Sequence, residues 1–256
     1  MNNNIEYRSE AMIKYFTTHR IKWEHLYQSE KFIFEKVEGF NDGIGDMLDV
    51  GCAAGGLADA LHERFSFKSY LGIDIHKGLI DAAIKKGGPK RRFVTGDILE
   101  KKDILESHFD WVISLSCVDW NIETLTMIKV CWEKVKPGGF LIMQVRLTNL
   151  PGINNIQKSY QWTDYFGQMN KLEKANYVIF NERDYLSLLS ELRPCASNVY
   201  GYGYWGKVSP TAITQYEELV FSVFAIQKVK AAETNKIITP KIELNLPLNL
   251  FLAPKY

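Results

Sequence analysis

The sequence predicts an α/β protein built on a doubly wound, mostly parallel sheet, and three observations carry that prediction. Strand-length apolar runs alternate with segments of helical period from about residue 46 to residue 147. The first run, "MLDV", enters a helical segment directly through the small-residue turn "GCAAGG". The chain has 256 residues, 46% hydrophobic and 24% charged, which suffices for one large domain with a full core. Strands that alternate with helices make a parallel sheet covered on both faces, and right-handed crossovers wind it in two directions.

Taken in order, residues from about Ser9 to Val37 carry Met12, Tyr15, Phe16, His19, Trp23, Leu26, Tyr27, Ile33 and Val37 at three- and four-residue spacing. That spacing predicts an amphipathic helical segment, with a break expected near Thr17-Thr18 and an end at Gly39 and "NDGIGD". "MLDV", "YLGIDI", "RRFVTGD", "FDWVISLS" and "FLIMQVRL" are the five predicted parallel strands. "GGLADALHERF", "KGLIDAAIKK" and "ETLTMIKVCWEKV" are the helices between them, and a short helix or loop follows "RRFVTGD". Beyond Leu147 the rhythm changes. Residues 150–180 are aromatic and irregular, "NERDYLSLLSEL" has helical period, and "SNVYGYGYWGK" and "EELVFSVFAIQKV" form two strands joined at Ser209-Pro210. The last 25 or so residues, with the proline-broken "LNLPLNLFLAP", are expected to lie on the surface as an extended tail.

A net charge of +1 without a block of one sign argues against a dedicated nucleic-acid binder. Cys52, Cys117, Cys131 and Cys195 form no Cys-x-x-Cys pair, so neither a metal site nor a disulfide framework is predicted, and reduced thiols in a cytoplasmic setting are expected. "MNNNIEYRSE" is polar, and the apolar runs are too short to span a bilayer, so no membrane association is expected.

In an open parallel sheet, ligands bind beyond the carboxyl ends of the strands, where the turn after "MLDV" lies. Gly51 permits a sharp turn, Gly55 and Gly56 permit close approach, and the amides of the following helix can meet an anion. The same residues also suit a plain tight connection. A dinucleotide fingerprint fits loosely, as Gly51, Ala53 and Gly56 with Asp74 roughly 20 residues on. Asp49 favours a different cofactor, because the dinucleotide fingerprint has an apolar residue there.

"LDVGCAAGG" resembles the first motif of the class I S-adenosylmethionine-dependent methyltransferases, with Asp49, Gly51 and Gly55 matching and Ala53 in place of the middle glycine. "YLGIDIHKGLIDAA", "FVTGDI", "FDWVISLSCVDW" and "EKVKPGGFLIM" are similar to the next four motifs, in order. The resemblance covers residues 46–146, and "FSVFAIQK" resembles the family's last, antiparallel strand. It implies a Rossmann-like seven-stranded mixed sheet and S-adenosyl-L-methionine as cofactor. Asp74 would hold the ribose diol. Asp97, with the Ile98 amide, would meet the adenine amino group, and the methionine carboxylate would lie near Gly55. Cys52, Ile75 and Ser116 would line the same pocket.

Methyl transfer also needs water excluded, and the aromatic faces of a lid suit a sulfonium. Trp23 and Tyr27 of the N-terminal helix, and Tyr160, Trp162 and Tyr165, are the candidates. Asp119, in the loop after the fourth strand, is the predicted catalytic base, against a simpler role as helix cap; His19, His25 and His76 are weaker candidates. The expected organisation is a helical lid at 1–40, the methyltransferase domain at 41–230 with an insertion at about 150–180, and a tail at 231–256. The expected acceptor is a small molecule, and a C-terminal likeness to surface-polysaccharide methyltransferases implies a sugar hydroxyl. The alternatives are an NAD-dependent oxidoreductase and a catalytically silent S-adenosylmethionine-binding protein.

Overall fold

The computed structural model describes residues 10–38, 44–100, 108–163, 173–233 and 238–252. The chain opens with α1 (Glu10–Thr18) and α2 (Gln28–Glu38), separated by a turn in which Arg20 takes the left-handed φ of 56°. The predicted break therefore falls at the end of α1. Next come β1 (Ile44–Val50), α3 (Gly56–His62), β2 (Phe67–Asp74), α4 (Lys77–Lys86), β3 (Arg91–Thr95), β4 (Phe109–Ser114), α5 (Thr124–Glu133) and β5 (Val135–Thr148). The short strands β6 (Tyr160–Trp162), β7 (Lys174–Asn176) and β8 (Phe180–Asn181) precede α6 (Glu182–Ser190). The chain ends with β9 (Ala196–Lys207), β10 (Ala212–Ile213), β11 (Glu218–Lys228) and β12 (Lys241–Asn245). The segment after β3 expected to be a short helix or loop lies largely outside the described residues, as do Tyr165 and the first half of "NDGIGD".

The main sheet runs β3-β2-β1-β4-β5-β11-β9-β12, with β8 attached to β5. β1 to β5 are parallel, and β11 is antiparallel to both β5 and β9. The seven expected strands are present, the last of them antiparallel, and two are added. One addition is β12, which pairs in parallel with β9 over Lys241–Asn245. Part of the supposed surface tail thus belongs to the sheet, and Leu250 beyond it is fully buried. β5 starts before the predicted "FLIMQVRL", because Val135 already pairs with Phe109 and the ladder shifts register before Trp111.

Period-two alternation divides the core. Along β1, Met47 faces the cluster that contains Phe34, Leu61 and Trp111, while Leu48 and Val50 face the one that contains Trp132, Tyr185 and Phe224. α6 starts on Asn181, whose side chain accepts from the amides of Arg183 and Asp184. The segment read as irregular contributes β6 and β7, which pair antiparallel and join β10 in a separate three-stranded sheet. Ile153, Tyr177, Ile179, Tyr216 and Leu219 form a third small core beside it. Among the described residues, no helix is long and apolar enough to cross a membrane.

Candidate active site

The loop between β1 and α3 is folded by its own backbone. The amides of Gly51 and Cys52 donate to the Ile73 carbonyl of the next strand at 2.9 and 3.2 Å, and Gly55 donates to the Cys52 carbonyl at 2.9 Å. Gly51 has a φ of 80°, and a Cβ there would lie 2.4 Å from the Cys117 Sγ, so both the conformation and the close approach need glycine. Ala53, at the motif's middle-glycine position, nonetheless adopts a φ of 47°. Its amide donates to Asp74 Oδ2 at 2.9 Å, and Asp74 Oδ1 accepts from the His76 amide at 2.9 Å. Asp74 is thereby locked in place, and each of its oxygens keeps acceptor capacity for a ligand hydroxyl.

These groups line a cavity of about 140 Å³ at the carboxyl ends of β1 to β4, and Asp49, Gly51, Cys52, Asp74, Ile75, Asp97, Ile98 and Ser116 all stand in its wall. Asp97 is held by the Leu99 amide, which donates to its Oδ1 at 2.9 Å. Asp49 accepts a hydrogen bond from the Tyr70 hydroxyl. Burial pushes the Asp49 carboxyl up to about 7, countered in part by Tyr70 and Arg20. Burial also raises the Cys52 thiol well above its ordinary value, which argues against a nucleophilic role. Asp74 is raised by burial as well, its two backbone donors opposing the shift.

Two predicted cofactor residues stand elsewhere. Gly55 turns the chain at the start of α3 against the Phe93 ring, and Gly56 faces the cavity in its place. Trp23 is buried in the core, with its ring against Phe34 and Phe65, and is not in the wall of this cavity. An indole that fills the space between α2 and α3 cannot also cover the cofactor pocket.

Asp119 requires the main correction. It is completely buried and absent from the cavity walls. Its Oδ2 lies 3.2 Å from Arg146 Nη1, and Arg146 also donates to the carbonyls of Asp119 and Val178 at 3.0 and 3.3 Å. Burial raises the Asp119 carboxyl, with Arg146 opposing. The carboxylate is the counter-ion of a buried guanidinium and is closed off from any acceptor. It caps no helix either: Asn121 Oδ1 accepts from the Glu123 amide at the approach to α5.

The wall of a second cavity, of about 600 Å³, includes Tyr15, Gln144, Arg146, Trp162, Tyr177 and Tyr204. The Arg146 guanidinium lies 3.6 Å from the Tyr177 ring centre and 4.6 Å from that of Trp120. Phe16, His19, Arg20, Ser116 and Trp120 line both cavities. Arg20 forms an ion pair with buried Glu30, and its Nη1 lies 3.5 Å from Ser116 Oγ, which donates to Gln144 Oε1 at 2.9 Å. Among the described residues, four non-glycine residues have left-handed φ, namely Arg20, Ala53, Lys90 and Ser116, and three of them line the first cavity. Strain of that kind persists where the surrounding structure fixes it for a purpose.

Sequence reading missed Phe16, Arg20, Gln144 and Arg146. The last two had a signal: Gln144, Arg146 and Thr148 alternate with apolar residues at the end of "FLIMQVRLT", which marks one polar face on an otherwise apolar strand. Arg20 had none, since a left-handed turn between two helices leaves no pattern in its residue types.

Residues 47–139 match the model of a family described as a methyltransferase domain. The trans-aconitate 2-methyltransferase of Deinococcus radiodurans is 31% identical over 99 residues, which are 39% of this chain and 37% of that protein. The U6 snRNA methylphosphate capping enzyme Amus of Drosophila melanogaster is 28% identical over 120 residues, 38% of this chain and 40% of that protein. The chain thus matches well under half the length of these curated relatives. An S-adenosylmethionine-dependent methyltransferase from Clostridium acetobutylicum is similar in fold, with a TM-score of 0.51 and 18% identity over 79% of this chain and 91% of that one.

Proposed function

The chain carries a class I S-adenosylmethionine-dependent methyltransferase domain, and on that premise we propose that it transfers a methyl group to a hydroxyl oxygen of a small molecule, a sugar hydroxyl being the form it takes here. The observation that carries the proposal is the pair of adjoining cavities with a common wall. The first has a donor set suited to the cofactor: a fixed acceptor in Asp74 for the ribose diol, Asp97 with Ile98 for the adenine, and the turn from Gly51 to Gly56, at which an added Cβ would collide, for the amino-acid end. When bound, the cofactor supplies an electrophilic methyl on a positively charged sulfur. The second cavity supplies the acceptor site. Its aromatic walls suit the apolar faces of a sugar ring, and Gln144, Gln161, Ser209 and Thr211 offer hydrogen-bond partners.

On this reading the residues of the chain orient the acceptor and exclude water, and holding two reactants in near-attack geometry can itself provide much of the rate. The segment from α1 to α2 serves as the lid, because Phe16, His19 and Arg20 close the common wall. The near-neutral charge and the recessed acceptor cavity support a small molecule over a nucleic acid. Four unpaired thiols suit a reducing, cytoplasmic setting.

Calorimetry with S-adenosylhomocysteine and NAD tests the cofactor. Binding of the first alone is expected, with a thermal stabilisation of about 2.7 kcal/mol at 100 times the dissociation constant. Binding of NAD alone would return the chain to the oxidoreductase reading. A screen of sugars and sugar nucleotides for methyl uptake tests the acceptor. The burial of Asp119 favours a second reading, a silent cofactor-binding protein, which predicts tight S-adenosylhomocysteine binding with no methyl uptake by any acceptor.

A further inference from the structure

We propose that His19 is the catalytic base, the group that takes the proton from the acceptor hydroxyl. The inference rests on the methyl-transfer reading above. If the cofactor occupies the first cavity and the acceptor the second, the reacting atoms meet at the wall common to both, which is formed by Phe16, His19, Arg20, Ser116 and Trp120. Phe16 and Trp120 cannot take up a proton. Arg20 is an ion-paired guanidinium, charged at every working pH. The Ser116 hydroxyl is a poor base and is already committed to Gln144. The imidazole alone has the chemistry.

Its setting suits the task. His19 follows the last residue of α1, its amide donating to the Tyr15 carbonyl at 2.9 Å, and its ring stacks on the Tyr15 ring with centres 4.4 Å apart. The stack fixes the ring plane. Among the described residues, neither ring nitrogen has a hydrogen-bond partner, so a lone pair is available to a ligand. The charged and titratable groups around it are Arg20 and His25, with Tyr15 beneath and Arg146 and Lys207 elsewhere in the second cavity's wall. On the α3 side, a Cβ added at Gly56 would meet the His19 and Arg20 carbonyls and the Ile21 side chain, not the imidazole. Burial, then Arg20, then His25 lower the His19 pKa, so the ring is neutral at pH 7 and able to accept a proton.

In the step, the acceptor O–H bond breaks and its proton passes to the imidazole. The oxygen electron pair forms the new O–CH₃ bond, while the methyl–sulfur bond breaks with its electron pair left on sulfur. The imidazolium then releases its proton to solvent. A base is needed only where the acceptor has a proton to lose, so the assignment selects a hydroxyl over a carboxylate acceptor.

The test uses two ligands that differ by one charge at the reacting atom. S-adenosylmethionine carries a positive sulfur and S-adenosylhomocysteine a neutral one. The His19 imidazole resonance, assigned by its loss in His19→Gln, is titrated by NMR with each ligand at saturation. His19 is expected to titrate at lower pH with S-adenosylmethionine, since a nearby cation opposes protonation. Equal titration of His19 in two complexes that calorimetry shows to be formed would overturn the inference. Failure of both ligands to bind would instead overturn the methyl-transfer reading. With any acceptor found in the screen, His19→Gln is expected to lose about 100-fold or more in turnover, to lose the fall in kcat/KM at low pH, and to keep its S-adenosylhomocysteine affinity. A variant with wild-type turnover would remove His19 from the chemistry.

Discussion

The two cavities are built from different kinds of material. The first lies where the four turns after β1 to β4 converge, and its wall includes the β1–α3 loop, the Ile75 and Ile98 positions, and carboxylates that backbone donors hold still. The second is assembled from distant pieces, namely α1, the end of β5, the β6–β7–β10 sheet and β9. A site at the fixed turns of one topology is set by the fold itself. A site made of side chains from separate segments can be changed one residue at a time, which is where acceptor choice can vary while the cofactor stays the same.

The largest expected effect separates a residue that supports the second cavity from one that works in the first. Asp119→Ala leaves the Arg146 guanidinium buried without its counter-ion, which costs about 3–5 kcal/mol. That corresponds to a fall in Tm of roughly 10 °C for a chain of this size, with S-adenosylhomocysteine affinity kept. The double change Asp119→Leu with Arg146→Met removes both charges and should recover most of the loss. If the single change leaves the Tm where it was, the buried pair is not what orders this region.

Asp74→Ala acts in the opposite sense. It is expected to weaken S-adenosylhomocysteine binding by roughly 1.5–3 kcal/mol through the lost charged acceptor. Calorimetry on a folded variant with unchanged affinity would take Asp74 out of the ribose site.

Asp49 gives a smaller effect, visible as a pH dependence. Its folded pKa of about 7 lies above the ordinary aspartate value of 3.8. The stability it contributes is therefore complete below about pH 4 and is lost as the pH rises through 7. Asp49→Asn cannot ionise, so its melting temperature relative to wild type should be more favourable at pH 8 than at pH 5. An equal difference at the two values would show that the carboxyl does not titrate in that range.

The smallest effect concerns Ala53. A left-handed alanine costs roughly 1–2 kcal/mol, and the extra freedom of glycine in the unfolded chain returns about 0.5–1 kcal/mol of that. Ala53→Gly should therefore stabilise the protein by no more than about 1.5 kcal/mol, measured by denaturant midpoint. A destabilised variant would mean that the Ala53 methyl group contributes packing that outweighs its strain.

The same division explains what the sequence disclosed. Periodicity located β1 to β5, and the order of Asp49, Gly51, Asp74 and Asp97 along that alternation was enough to foresee the first cavity, because topology alone carries those residues to one end of the sheet. Trp23 and Asp119 were misplaced for a different reason. Each has a side chain whose direction depends on packing: Trp23 into the α2–α3 core, and Asp119 toward an arginine 27 residues away in sequence. His19 and Arg20 reach the common wall through a left-handed turn, which residue types do not announce. The second cavity was hard to read because its parts meet only in three dimensions.

β12 has a consequence for solubility. β9 is a 12-residue strand rich in tyrosine and tryptophan, and one of its edges would lie open without β12. A bare aromatic edge is a template for pairing with another chain. The five residues of β12 cover that edge from Asn198 to Tyr202, and the new outer edge is short, exposed and charged at Lys241 and Glu243, with Pro240 and Pro247 flanking it. Prolines and charges at such positions discourage further strand addition. The C-terminal segment thus acts as a stopper on the sheet. A chain shortened to residue 237 would keep every residue of both cavities, yet would expose an edge that invites self-association.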